Sequence, residues 1–173
     1  MQTGHRLEHR EIDKTIAYGR IYKMKKFKRL NTKLEATGAE FLVLGQLLIR
    51  GMQAYKSYVN HPGYDLIVVN PEKKTQARIQ VKSRFRTGAT GFPINNFESD
   101  FVVYVALNRG LTAKHLKKKK KKTNLVKDPE YYIFRTNALK KIARKDTMLG
   151  RKVLIKDIRN LKKYKDNWNS IRI

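Results

Sequence analysis

The apolar positions of this chain change period several times, and each change marks an element. In "NTKLEATGAEFLVLGQLLIRG" they recur at helical spacing from Leu34 onward and lie nearly all round the axis. Asn31 and Thr32 are helix starters and Gly51 is a left-handed stop, so the spacing predicts a buried helix packed on a sheet. "QAYKSYV" then reads as a strand and "NHPG" as a turn. "YDLIVVN" is a second strand, "PEKK" a second turn and "TQARIQVKSR" a third strand. In the third, Gln76, Arg78, Gln80, Lys82 and Arg84 share one face, and Ala77, Ile79 and Val81 the other.

"FRTGATGFPINNFES" reads as a long loop, and "DFVVYVAL" as the continuous apolar run of a central strand. "NRGLTAKHLKKKKKKTNLVKDPE" is a basic insertion whose six consecutive lysines, Lys117 to Lys122, cannot pack and must face water or an anion. "YYIFR" is a fifth strand, and "TNALKKIARK" a short helix capped by Thr or Asn. "RKVLIK" reads as a last strand and "DIRNLKKYKDNWNSI" as a closing amphipathic helix. The succession implies an α/β (α+β) domain over residues 31–173 with a mixed central sheet. It has a Lys-rich insertion at 114–124 and is preceded by a helical or disordered arm, residues 1–30. "MKKFKRLN", from Met24, reads like a natural chain start.

Charge narrows the partners. Forty Lys and Arg stand against fourteen Asp and Glu in 173 residues, a formal net charge of +26. Such a chain draws polyanions from a distance, and each phosphate contact gains from counterion release. Nucleic acid is therefore the first expectation and an anionic membrane surface the second. With no cysteine, disulfides, zinc fingers and cysteine nucleophiles are excluded. "FLVLGQLLI" is far short of the ~20 residues of a spanning helix. The expected location is cytoplasmic and nucleic-acid-associated, for a host, organellar or viral gene.

Three polar features interrupt the apolar pattern: Glu40 in the first helix, Asp65 at the head of the second strand, and Gln80 and Lys82 in the third. A short turn makes those strands antiparallel neighbours, so Asp65 can lie beside the Gln80–Lys82 stretch, with Glu40 brought in by the helix. Two carboxylates and an amide oxygen make a hard site suited to Mg²⁺, with Mn²⁺ as a substitute. A lysine beside it suits phosphodiester hydrolysis. Each residue also has a plainer role. Glu40 can close a capping box with Thr37, Asp65 can cap the "HPG" turn, and Gln80 and Lys82 can be the wet face of an edge strand. His61 reads as a turn residue, and Tyr164 and Trp168 as core or anchoring contacts.

"GAE", "GYDLIVV" and "IQVKSR", in that order, resemble the motif set of the PD-(D/E)XK nuclease superfamily over roughly residues 31–110. "YYIF" and "YKDNWNSI" look like the tail of its small endonucleases. The resemblance implies a restriction-endonuclease-like core and Mg²⁺-dependent DNA hydrolysis leaving 5′-phosphate and 3′-hydroxyl ends. By it, Asp65 and Glu40 are metal ligands, Gln80 occupies the usual acidic position, Lys82 is the catalytic lysine and the Val81 carbonyl a further ligand. Tyr64 stands where the family name has proline. Glutamine at the acidic position is found in some members, including intron-encoded homing endonucleases. Ser83, Arg84, Arg86 and Lys117, Lys118, Lys119, Lys120, Lys121 and Lys122 would grip the backbone of duplex or branched DNA. One site per chain implies a homodimer or higher assembly for cutting both strands. The alternatives are a binding module with a decayed site and a basic RNA-associated protein.

Overall fold

The structure, a computed structural model, describes residues 31–57, 63–111, 125–146, 150–171 and 173. The arm expected at 1–30, His61 and Lys117–Lys122 lie outside them. Helix α1 (Thr32–Leu48) starts as its sequence dictates. The Asn31 carboxamide oxygen accepts the Lys33 N–H at 2.8 Å and the Leu34 N–H at 3.3 Å, satisfying two donors that no turn of helix can reach. At the far end Gly51 takes φ 75°, and the Gly51 and Met52 N–H groups return to the Leu48 and Leu47 carbonyls. Asn31→Ala is expected to lower stability by about 1 kcal/mol, read by denaturant melts.

Five strands make the central sheet in the order β1 (Gln53–Lys56), β2 (Leu66–Asn70), β3 (Thr75–Arg84), β5 (Phe101–Ala106), β6 (Glu130–Arg135). The first three are antiparallel, β3 and β5 parallel, and β5 and β6 antiparallel. The expected mixed sheet of an α+β fold is therefore present. On one face α1 sets Ala39, Val43 and Leu47 against Leu66, Val68, Ile79, Val103 and Ile133. The other face is covered by a second sheet, β4 (Gly91–Ile94), β8 (Gly150–Leu154) and β7 (Arg144–Asp146), together with α2 (Thr136–Ile142). Phe92, Ile94, Leu139 and Val153 pack there on Val102, Tyr104 and Phe134. Burial on both faces is why β5 reads as an unbroken apolar run.

Four expectations are corrected. The loop after β3 contains β4, which carries Pro93; it survives as a strand because it is an edge of its sheet, where a missing N–H costs no ladder bond. The strand β7 was not expected either. The closing amphipathic helix is instead three 3-10 turns, Ile155–Asp157, Leu161–Tyr164 and Trp168–Ile171. Asn160 and Asp166, left-handed at φ 49° and 51°, break it, and both residue types tolerate that region. Finally, α1 is buried on one side only: Leu34, Phe41, Leu42 and Leu48 are exposed.

The short helix α2 begins as expected but without a side-chain cap. Its Thr136 N–H goes to the Asp100 carbonyl and its hydroxyl pairs with Ser99 at 3.1 Å, so the head of β5 does the capping. Trp168 is buried against Tyr131, and Tyr164 packs on Phe134, so both serve the core as expected. Among the described residues no helix is long and apolar enough to cross a membrane.

Candidate active site

The site forms where β2 begins beside the middle of β3. Ile79 faces Leu66 in the register, yet its carbonyl accepts the Asp65 N–H at 2.8 Å. The bond is offset by one residue from that register, so the ladder ends here and Asp65 leaves it at the head of β2. The Asp65 carboxylate turns onto β3 and accepts the Val81 N–H at 2.7 Å. A strand residue's N–H and C=O leave on the same side, so the Val81 carbonyl is directed towards this same edge. Ser57 donates its N–H to the Asp65 carbonyl at 2.9 Å, which ties the end of β1 to the same point.

Glu40 reaches the site from α1. It closes no capping box: its carboxylate pairs with the Lys56 ammonium from the end of β1, both side chains being largely buried. Glu40, Lys82 and Lys56 all act electrostatically on Asp65, which is the group they have in common. Burial, the largest influence, pushes the Asp65 carboxyl above its ordinary range. The Val81 N–H opposes that, the Glu40 charge adds to it, and the two lysines hold it back. Burial likewise pushes the Lys82 ammonium below its usual value, with Asp65 partly restoring it.

Gln80 lies on the face of β3 that looks away from α1, alongside Lys82. It is 7% exposed, and its Oε1 is a buried acceptor with no partner among the described residues. Buried acceptors are nearly always satisfied, so an orphan of this kind points to a missing donor or cation. Among the described residues no three His, Cys, Asp or Glu side chains gather. A metal site here would therefore be two carboxylates, an amide oxygen and a backbone carbonyl, an all-oxygen donor set that fits Mg²⁺ at reduced negative charge.

The residues expected to grip nucleic acid divide. Ser83 is half-buried on β3, on the α1 side of the sheet by alternation, away from Lys82. Arg84 reaches the second sheet, its Nε donating to the Gly91 carbonyl at 2.9 Å. Arg84 and Arg86 both act on Tyr104, whose phenol burial pushes up to about 12. Tyr104 pairs in register with Lys82 and with Tyr132, making one row across the sheet face. The residue that sequence reasoning missed is Lys56. Its only signal is a cation that alternation places opposite the head of β2. A cavity of about 420 Å³ between Arg50, Asn70, Lys73 and Ile173 lies at the other end of β2 and takes no part.

No family model matches the sequence, and no curated protein matches it. Among solved structures the fold is similar to that of a bacterial homing endonuclease, I-Ssp6803I. The two share a TM-score of 0.51 and 18% identity over 82% of this chain and 91% of that one. At that identity the likeness is one of fold.

Proposed function

We propose that the chain is a divalent-metal-dependent DNA endonuclease of the PD-(D/E)XK kind. The observation that supports this reading is a buried carboxylate, Asp65, held on the Val81 N–H where β2 meets β3 and acted on by Glu40, Lys56 and Lys82, on a strand that also carries the orphaned Gln80 oxygen. A fold shared with a homing endonuclease and the charge of +26 support DNA as the substrate. Asp65 and Glu40, with Gln80 Oε1 and the Val81 carbonyl, would hold Mg²⁺ or Mn²⁺. Such an ion supplies an acidified water and neutralises charge on the phosphate. Lys82 does the remaining work: its partly desolvated ammonium donates to the attacking water or to a phosphate oxygen. Because burial favours its neutral form, it also gives up a proton more readily than a surface lysine. Arg86 and the lysines from Lys117 to Lys122 serve the backbone, positioning the duplex without reading sequence. Cutting both strands calls for two copies of the chain.

The second reading is a binding module with a decayed site, favoured by the neutral Gln80 where a third carboxylate would strengthen metal binding. Supercoiled plasmid incubated with protein and Mg²⁺, beside an EDTA control, Asp65→Ala and Lys82→Ala, separates the two. Only the wild type with metal should nick. Binding without nicking by any of the proteins means the decayed module, and equal cutting by all three sinks this site. Gln80→Glu is expected to bind Mn²⁺ roughly tenfold more tightly by calorimetry, since it adds a unit charge in a partly desolvated site.

A further inference from the structure

Lys56 ends β1 with Leu66 as its register partner, one residue from Asp65. Its side chain crosses to α1, where the ammonium sits on Glu40 and lies 5.4 Å from the Phe41 ring centroid. The Lys56 and Glu40 side chains are 15% and 18% exposed, so this is no loose surface pair. Asp65 and Glu40 bring two negative charges to the junction, Lys56 and Lys82 two positive ones, and the set sums to zero. A cation already stands on one of the two carboxylates that a divalent ion needs.

We propose that Lys56 is a positioning residue that holds the cation position on Glu40 in the ion-free protein, so that a divalent ion enters by displacing an ammonium. The proposal rests on the metal-dependent reading above. Three consequences follow from the charges alone. In the ion-free state Lys56 pairs with the Glu40 carboxylate and offsets its repulsion with Asp65. The ion meets a neutral set, so the protein alone binds it weakly. A substrate phosphate supplies the missing negative charge, and the displaced ammonium is then a cation at the rim of the site beside that phosphate. Ion and DNA should therefore bind with positive coupling, each raising the other's affinity by the same factor.

The test is Mn²⁺ titration of the full chain without DNA, followed by electron paramagnetic resonance of the free ion. Lys56→Met is expected to bind roughly tenfold more tightly than the wild type, the scale of one partly desolvated ion pair. Lys56→Arg, which keeps the charge and can grip Glu40 through two nitrogens, should bind no more tightly than the wild type. Asp65→Asn should lose the site. A merely structural lysine would not raise metal affinity when removed. Should Lys56→Met fail to fold in EDTA, as judged by thermal melts, Lys56→Gln makes the same comparison. Unchanged or weaker binding by the neutral variant, with Asp65→Asn still losing the ion, overturns the role of Lys56 and leaves the metal site standing. Binding by Asp65→Asn equal to wild type overturns the metal reading itself.

Discussion

Asp65→Asn and Lys82→Met should each lose plasmid cleavage by about 10³-fold or more, the scale on which preorganised charge contributes to such chemistry, while each makes the metal-free protein more stable. The reason for the second half is burial. Folding takes the Asp65 carboxylate and the Lys82 ammonium partly out of water, and in both cases that cost exceeds the attraction between them. Asparagine keeps an oxygen for the Val81 N–H and drops the charge, so the gain is expected at about 1 kcal/mol. The signs in pH differ. Asp65 holds its proton more tightly folded than unfolded, so stability falls as pH rises from the ordinary 3.8 to its raised folded value. Lys82 is depressed, so stability rises as pH climbs from its lowered folded value to the ordinary 10.5. Each substitution should remove its own slope in denaturant melts across those windows.

The double variant sharpens this. Each single substitution also forfeits the Asp65–Lys82 attraction, so adding the two single gains subtracts that attraction twice, whereas the double variant loses it once. The double variant should exceed the sum of the singles by the attraction itself. Two destabilised single variants would mean that neither side chain is desolvated at a net cost to folding as described.

Much of this site was legible because its chemistry violates the pattern around it. A carboxylate, an amide and an ammonium inside apolar strands have to answer to something, and alternation alone puts Gln80 and Lys82 on one face. The end of the ladder at Asp65 was not legible, since a one-residue offset in hydrogen bonding leaves no mark in composition; it shows only as the Asp65 N–H and carboxylate both turned onto β3. Lys56 escaped because a lysine at a strand end is the commonest solvated residue, and only the tertiary path of α1 brings Glu40 to it. The same limit applies to α1, whose pattern announces apolar residues on most sides without saying which side the sheet will take. The three C-terminal turns differ from the expected helix for a backbone reason: Asn160 and Asp166 accept left-handed conformations that periodicity does not register.

Gly91→Ala should cost about 3 kcal/mol or more, lowering the melting temperature by roughly 6–12 °C for a chain of this size. Gly91 pairs with Leu154 where β4 meets β8. A Cβ there would stand 2.3 Å from the Val153 carbonyl oxygen and 3.1 Å from the Leu154 Cα, both backbone atoms that no rotamer change can move. The strands must part. Their parting strips two contacts that dock the second sheet on the central one: the Arg84 bond to the Gly91 carbonyl, and the stacking of Phe92 on Tyr104 at 4.7 Å. Lys82 shares its strand with Arg84 and its register with Tyr104, so cleavage should weaken in the variant even below its melting temperature. The internal control is Gly38→Ala on α1, where a Cβ meets nothing within 4 Å and a helix gains from alanine. That variant should be more stable by roughly 0.5–1 kcal/mol. Opposite signs for one chemical change, measured by the same thermal melts, would locate the cost in the β4–β8 contact. A Gly91→Ala protein as stable as the wild type would mean that the second sheet does not close on the first at this point.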